Sequence, residues 1–299
     1  MRTVQRRWLT LGGNPRGPKR AARDHVNTWT FVAHHTWQID IKEQMPLSNG
    51  KMCSWVNIAD EGTSTALLIV VFEQAKATLV SQYDMLKAVN QCFASEGLPK
   101  CIKIDNGLPL VLPHTADLPT MTILWWVGLG INVVLNKPGC PQQNGTVEGL
   151  QGICSRWADS KSCKDLVEYQ KLVDKALHIQ RHVYHLSGKK TRHELYPELA
   201  LNPRKYDIEA FDFSLVCQFL AQKAWERLVS EDGDIKFNGY KIFVSKDYKS
   251  KRITVTFDPI AHEWLIRATS GALINKSSKG VPTKEAILNF ANTGQVGKL

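Results

Sequence analysis

Three acidic residues stand in sequence contexts that suit phosphodiester chemistry. Asp40 lies inside the predicted strand of HTWQIDIKE, Asp105 ends the short predicted strand of KCIKIDNG, and Glu148 lies in the first turn of a predicted helix. Isoleucines flank both aspartates and can bury into a core, so the carboxylates would leave the strands together on one face. A helix docked across those strand ends would add the glutamate.

Such a trio of carboxylates suits a site with two divalent ions. Cleaving or transesterifying a phosphodiester requires an activated oxygen nucleophile and a stabilised leaving oxygen, and two Mg²⁺ ions about 3.5–4 Å apart supply both. Mg²⁺ takes hard oxygen ligands and keeps several waters, so a few carboxylates suffice. We therefore predict that Asp40 bridges two Mg²⁺ or Mn²⁺ ions, with Asp105 and Glu148 completing their shells. Without metal, three acids this close would repel one another.

The elements that must position these acids follow an alternating order. Three strands, a helix, a strand, a helix, a strand and a helix indicate an α/β unit built on a mixed five-stranded sheet with flanking helices. Apolar residues at spacings of three and four predict an amphipathic helix over residues 73–96, ended by Gly97. Asn49 and Gly50 predict a hairpin turn between the first two strands.

Composition and patterning divide the chain into five predicted parts. A basic, turn-rich arm that we expect to be disordered precedes the α/β core, and a helical connector leads to a small all-β barrel predicted to contact DNA, followed by a tail. Short alternating strands with tight turns are typical of such a barrel. The predicted boundaries are 1–29 for the arm, 30–185 for the core, 186–229 for the connector, 230–282 for the barrel and 283–299 for the tail.

The charge of the chain favours a polyanionic partner. Its net charge is +10, from 38 Lys+Arg against 28 Asp+Glu, and the first 30 residues hold seven basic residues and one acidic residue. No apolar run approaches the roughly 20 residues that a membrane span needs, so no membrane partner is expected. The seven cysteines include no CxxC pair, which indicates reduced thiols in a cytoplasmic protein rather than a disulfide framework.

The segments WQIDIK, IKIDNG and KPGCPQQNGTVEG carry Asp40, Asp105 and Glu148 in that order. Together they resemble the catalytic core of DDE-type enzymes, the bacterial insertion-sequence transposases and retroviral integrases. Downstream, HELYPELALNPRKY and GDIKFNGYKIFVSKDY resemble the connector and the C-terminal β-barrel of those transposases, so the resemblance covers nearly the whole chain. It implies a ribonuclease H-like core, divalent-metal dependence, DNA cleavage at element ends, strand transfer into target DNA and a homo-oligomer on DNA. It also implies a bacterial, nucleoid-associated protein.

The chain departs from the family pattern in three ways. The interval between Asp105 and Glu148 is longer than in the commonest pattern, and we interpret the excess as an insertion. Gly149 follows the glutamate where the family usually has a basic residue. No helix-turn-helix region precedes the core, so the chain is expected to be a fragment, a downstream reading frame or a remnant.

Several polar residues are candidates for contacts with DNA, each with a structural alternative. Asn106 would shape the turn behind Asp105, and the glutamines and asparagine before Glu148 would contact DNA or order their loop. Basic residues of the barrel would follow phosphates or form a solvated face. Asp60 and Glu61 are predicted to be hairpin-turn acids rather than metal ligands. The DNA-binding candidates are Asn106, Gln142, Gln143, Asn144, Arg156, Lys161, Lys249, Lys251 and Arg252.

Two other functions stay open at this point. A truncated or catalytically idle transposase remnant would bind DNA through its basic arm and barrel without cutting it. A nuclease acting on RNA–DNA hybrids would use the same metal chemistry, although the PQQNG loop and the barrel argue against it. An upstream helix-turn-helix frame with flanking inverted repeats would favour a working transposase.

Overall fold

The computed structural model describes residues 32–74, 80–105, 117–136, 144–187 and 189–293. The predicted arm, residues 1–29, lies outside these ranges. The described α-helices are α1 (Gln82–Glu96), α2 (Met121–Gly128), α3 (Gly145–Trp157), α4 (Leu166–His182), α5 (Arg192–Leu195), α6 (Phe213–Ala221) and α7 (Lys284–Thr293). Short 3₁₀ helices cover Ser160–Ser162, Pro197–Ala200, Ile208–Ala210 and Lys246–Tyr248.

The strands form one large sheet and three smaller ones. The large sheet contains β1 (Thr36–Pro46), β2 (Met52–Asp60), β3 (Thr65–Gln74), β4 (Cys101–Ile104) and β5 (Asn132–Leu135). The others contain β6 (His185–Ser187) with β7 (Lys190–Thr191), β9 (Asp234–Phe237) with β10 (Tyr240–Phe243), and the set β8 (Ala224–Leu228), β11 (Arg252–Asp258), β12 (Glu263–Ala268) and β13 (Leu273–Ser277).

The large sheet has the strand order β3-β2-β1-β4-β5. The first three strands pair antiparallel, whereas β4 lies parallel to β1 and β5 lies parallel to β4. The predicted turn between β1 and β2 is confirmed, since Gly50 has a φ of +80° and its N–H donates to the Leu47 carbonyl at 3.0 Å. This mixed sheet with helices on both faces is the predicted ribonuclease H-like core fold.

Two apolar clusters cover the opposite faces of the sheet. One contains Trp37 and Ile39 of β1 with Phe93 of α1. The other contains Trp55 of β2 with side chains of α3 and α4, among them Val147. The alternation of β1 therefore turns its apolar residues toward α1 and leaves its polar residues on the face that α3 covers.

The helix predicted over residues 73–96 is shorter than expected. β3 continues through Gln74, which pairs with Met52 of β2. The first two residues of the predicted helix, Glu73 and Gln74, therefore belong to the sheet. The helix α1 begins after Ser81, whose side chain accepts a hydrogen bond from the Asp84 N–H. It ends as predicted at Gly97, which has a φ of +79°.

The C-terminal β region, which comprises strands β8 to β13, packs around a cluster of aromatic rings. Trp225 of β8, Phe237 of β9 and Trp264 of β12 meet edge to face, with ring centroids 4.9 to 5.7 Å apart. The four-stranded sheet has the order β13-β12-β11-β8, and the hairpin of β9 and β10 packs beside it. Thus β8, within the predicted connector of residues 186–229, belongs to this sheet, and α7 occupies part of the predicted tail.

The β region docks directly on the α/β core. Both contribute to one apolar cluster, and α2 lies between α6 and α7. Asp117, at the start of the segment before α2, pairs with Arg227 and accepts a hydrogen bond from the Asn238 N–H. Of the helices that the structure describes, none is long and apolar enough to cross a membrane.

The contact between α2 and the segment before α6 predicts a substitution effect. A Cβ at Gly128 would overlap the Phe211 ring, whereas one at Gly152, in the interior of α3, meets nothing closer than 3.9 Å. We expect Gly128→Ala to lower the free energy of unfolding by about 1–3 kcal/mol through overpacking. Gly152→Ala should raise it by roughly 0.5–1 kcal/mol, because alanine loses less backbone entropy in a helix. Urea denaturation checks both, and equal effects of the two substitutions would contradict the packing described.

Candidate active site

The parallel pairing of β1 and β4 places two of the predicted acids side by side. Ile39 lies opposite Ile104 in the register, and both isoleucines are fully buried. Asp40 follows Ile39 within β1 and Asp105 follows Ile104 just beyond the end of β4, so the two acids hold equivalent positions on neighbouring strands. Asp40 is half-buried, whereas Asp105 is exposed just beyond the end of β4.

The third acid is carried by α3, which crosses the polar face of β1. Glu148 lies in the first turn of this helix. Buried Gln38 accepts a hydrogen bond from the Val147 N–H at 3.1 Å, and buried Asn57 donates to the Val147 carbonyl at 3.4 Å. These two amides therefore fasten the helix turn next to Glu148 onto β1 and β2.

The three acids interact electrostatically. Burial is the first cause of a raised Asp40 pKa, which lies at about 6, and the negative charges of Glu148 and Asp105 add to the rise. Hydrogen bonds from the Ile41 N–H and the Gln151 amide oppose it. Glu148 and Asp105 are therefore part of the electrostatic surroundings of Asp40.

The donor set fits a hard divalent cation in its chemistry. Three carboxylates supply the oxygen ligands that Mg²⁺ and Mn²⁺ take, and a cation would offset the negative charges that add to the effect of burial on the Asp40 pKa. Within the described ranges, no three His, Cys, Asp or Glu side chains are grouped so as to hold one ion together.

The acids Asp60 and Glu61 serve the turn after β2, as predicted. Fully buried Asp60 accepts hydrogen bonds from the Thr63 N–H at 2.8 Å and the His34 N–H at 2.7 Å. Glu61 pairs with Lys103 at 3.1 Å. Asp60 thus organises the turn after β2, whereas Glu61, in that turn, pairs with a lysine of β4.

The predicted DNA contacts are scattered over the chain. Asn106, Gln142 and Gln143 lie outside the described residues. Asn144 is buried and accepts a hydrogen bond from the Asn136 amide at 2.7 Å, so its side chain has a partner within the protein. The exposed candidates are Arg156 at the end of α3, Lys161 in the following 3₁₀ turn, and Lys249, Lys251 and Arg252 at the start of β11.

Sequence reasoning missed three residues around the acids. Gln151 donates from Nε2 to Oδ2 of Asp40 at 2.8 Å, and Lys42 donates to the Ser155 hydroxyl. Spacing alone carried a partial signal, because Gln151 lies three residues after Glu148 and therefore on the same helix face. Which strand residue it meets depends on how α3 docks, and that is a tertiary property.

Comparison with known proteins gives distant structural likenesses. No family model matches the chain. The HTLV-2 integrase catalytic core domain in complex with magnesium is 17% identical, with a TM-score of 0.40, over 55% of this chain and 96% of that chain. A chain of the simian T-cell lymphotropic virus intasome in complex with PP2A regulatory subunit B56 gamma is 17% identical, with a TM-score of 0.46, over 89% of this chain and 83% of that chain. The BIV integrase catalytic core domain is 17% identical, with a TM-score of 0.39, over 55% of this chain and 95% of that chain. At these values the likenesses do not establish what the chain does.

The raised pKa of Asp40 predicts a pH-dependent stability. An acid whose folded pKa is about 6, against an ordinary value of 3.8, binds more protons folded than unfolded between those values. The free energy of unfolding of the wild type, relative to that of Asp40→Asn, should therefore fall as pH rises from about 4 to about 6. The expected fall is on the order of 2 kcal/mol. Urea denaturation in EDTA across this range measures the difference between the two proteins.

Asp258 supplies a control in which the effect on stability changes with pH in the opposite direction. Its pKa is lowered by hydrogen bonds from the Ala261 and Ile260 N–H groups, so its stabilising effect is lost as pH falls. The difference between wild type and Asp258→Asn should shrink toward acid pH. A difference between wild type and Asp40→Asn that stays flat from about pH 4 to about pH 7 would contradict the repulsive, partly buried setting of Asp40.

Proposed function

We propose that the chain is a DDE-type transposase or integrase that cleaves DNA at the ends of a mobile element and joins them to target DNA. One observation carries the proposal. Asp40, Asp105 and Glu148 come from a strand, a strand end and a helix that are far apart in sequence, yet the charges of Asp105 and Glu148 both act on Asp40. Each stands in one of three ordered motifs that resemble this family.

The reaction has two steps of the same kind. A water oxygen attacks the phosphodiester at the element end, and the 3′-oxygen of the element leaves as a hydroxyl. That 3′-hydroxyl then attacks a phosphodiester of the target DNA, whose own 3′-oxygen leaves. Divalent ions, two of Mg²⁺ or Mn²⁺, would supply activation of the attacking oxygen and stabilisation of the leaving one. Asp40, shared between the ions, with Asp105 and Glu148 would hold them.

The first turn of α3 supports access for a nucleic-acid backbone. Among the described residues, nothing would lie within 4 Å of a Cβ at Gly145 or Gly149, on either side of Glu148. A glycine at position 149 therefore leaves the helix surface beside the acid open. Arg156 and Lys161, further along on the exposed surface, are the proposed phosphate contacts that replace the family's basic residue.

The β region supplies the second proposed DNA surface. Lys249 lies 3.7 Å from Glu231 and Arg252 lies 3.5 Å from Glu226, with all four side chains exposed. Exposed pairs of this kind contribute little to stability, so phosphates can replace the acids at small cost. We propose that the basic side chains of Lys249, Lys251 and Arg252 contact successive phosphates of the DNA backbone.

The origin and assembly of the protein are proposed from the motif resemblance. The PQQNGTVEG segment and the C-terminal β region favour a bacterial insertion-sequence transposase over a viral enzyme. Such a protein would act in the cytoplasm on the nucleoid. It would bind paired element ends and target DNA as a homo-oligomer.

A strand-transfer assay with candidate element ends in Mg²⁺ or Mn²⁺ tests the function. We expect Asp40→Asn and Asp105→Asn to lower the rate of end joining by at least about a hundredfold, because each removes a carboxylate proposed to hold the ions that stabilise the transition state. DNA affinity, measured by fluorescence anisotropy in EDTA, should change little. Asp174→Asn is the matched control, since Asp174 also accepts an amide hydrogen bond at 2.8 Å, from Gln170, but lies on α4 away from the site.

Other results would point to the remaining functions. Wild-type protein that binds DNA tightly and joins no ends in either metal would favour the idle remnant. Cleavage restricted to RNA–DNA hybrids in a substrate panel would favour the nuclease. Full activity of Asp40→Asn in Mg²⁺ would overturn the assignment of the acids.

A salt titration tests the proposed phosphate contacts of the β region. Each phosphate contact adds about 0.9 to the slope of log affinity against log salt for duplex DNA. Replacing Lys249, Lys251 and Arg252 together by alanine should therefore lower the slope by roughly 2–3. Alanine at the exposed Lys164, Lys171 and Lys175 removes the same charge elsewhere and should leave the slope nearly unchanged. Equal slopes for the two triple variants would exclude a specific phosphate track.

A further inference from the structure

A row of polar contacts joins β1 to α3 beside the acids. Three alternate residues of β1, Gln38, Asp40 and Lys42, lie on the strand face that α3 covers. Their partners on the helix are Val147, Gln151 and Ser155, which follow one another at intervals of four residues. Alternate strand residues repeat every ~6.6 Å and every fourth helix residue repeats every ~6 Å, so the two rows stay in step.

The middle contact of this row involves the proposed metal-bridging acid. Gln151 Nε2 donates to Oδ2 of Asp40 at 2.8 Å. The Gln151 carbonyl accepts a hydrogen bond from the Ser155 hydroxyl at 2.5 Å, and that hydroxyl accepts one from Lys42 Nζ. The contacts therefore form a continuous chain from Lys42 through Ser155 and Gln151 to Asp40.

We propose that Gln151 is a positioning residue of the active site, which orients the Asp40 carboxylate for divalent metal and sets its separation from Glu148. The proposal rests on the proposed function. Gln151 lies one helical turn after Glu148, so its hydrogen bond couples the placement of α3 on the strand to the orientation of the carboxylate. The Gln151 amide on Oδ2 and the Ile41 N–H, which also hydrogen-bonds this carboxylate, together restrict its orientation.

The chemistry of the side chain suits this role. An amide donates to a carboxylate without bringing a positive charge that would compete with a metal ion. The nearby cation, Lys42, is instead directed to Ser155, and its Nζ lies 5.3 Å from the centre of the Trp55 ring. A positive side chain at position 151 would place a charge directly against Asp40.

Metal binding without catalysis is the first test. The probe is Mn²⁺, titrated into the full chain without DNA and followed by the electron paramagnetic resonance signal of the free ion. Removing a group that holds a metal ligand typically weakens metal binding about 10–100-fold, and we expect this for Gln151→Leu. Gln151→Lys should weaken it more, because its charge opposes the ion. Gln218→Leu, the same change at an exposed position of α6, should match wild type.

The Mg²⁺ dependence of strand transfer separates positioning from a merely structural role. A positioning role shifts the Mg²⁺ concentration for half-maximal rate upward, with partial rescue at saturating metal, and leaves DNA affinity in EDTA unchanged. A merely structural role would lower the melting temperature of the variant but leave its metal affinity, measured below that temperature, unchanged. That result would overturn the proposal. If Gln151→Leu does not fold, Gln151→Asn, which keeps the amide and shortens its reach, replaces it.

The outcomes distinguish this proposal from the proposed function. Wild-type protein that binds Mn²⁺ but joins no DNA ends would refute the function, and weaker Mn²⁺ binding by Gln151→Leu would still support the positioning role. Gln151→Leu that binds Mn²⁺ within about threefold of wild type, while Asp40→Asn loses binding, would refute the positioning role alone. Wild-type protein that binds no Mn²⁺ would refute both.

Discussion

The docking of α3 on the polar face of β1 is the interaction on which the proposed site depends. Three hydrogen-bonded contacts, at Gln38, Asp40 and Lys42, hold the helix to the strand. Without them Glu148 would have no defined position relative to the strands. Burying polar groups is favourable only when their partners are present, so this face stays intact because each of the three side chains meets a partner on α3.

The same docking creates an unfavourable arrangement of charge. Asp40 is partly buried next to two other acids, and its raised pKa reflects that setting. Rigid surroundings maintain the repulsion, because buried Ile39 and Ile104 fix the two strands and Val147 anchors the helix. A site that stays together against its own repulsion is prepared to bind cations, and relief of this repulsion would favour binding. The repulsion between Asp40 and the other two acids therefore links the fold to the proposed metal chemistry.

Much of this arrangement was predictable from local patterns. The alternation around Asp40 predicts a two-faced strand, the isoleucines before Asp105 predict a buried strand ending at the acid, and the turn before Glu148 predicts a helix start. These signals are short-range, and the motifs fix their order along the chain. The mixed sheet follows from the order of strands and helices, because parallel neighbours require helical crossovers.

What could not be predicted depends on contacts between distant segments. The pairing of Glu73 and Gln74 with β2 overrides the helical periodicity predicted for these two residues, because it depends on a strand distant in sequence. The pairing of β8 with β11 has no local signal, since its sequence also suits a connector. The bond between Gln151 and Asp40 joins residues 111 positions apart and depends on the register of a helix against a strand.

A crystal structure of the protein soaked with Mn²⁺, with anomalous difference maps recorded for manganese, tests the central claim most directly. The account predicts anomalous peaks against the carboxylate of Asp40, one shared with Asp105 and one shared with Glu148. The Gln151 amide should remain on the other oxygen of Asp40. Saturating Mn²⁺ without a peak in contact with Asp40, or with peaks only at other surface acids, would contradict the account.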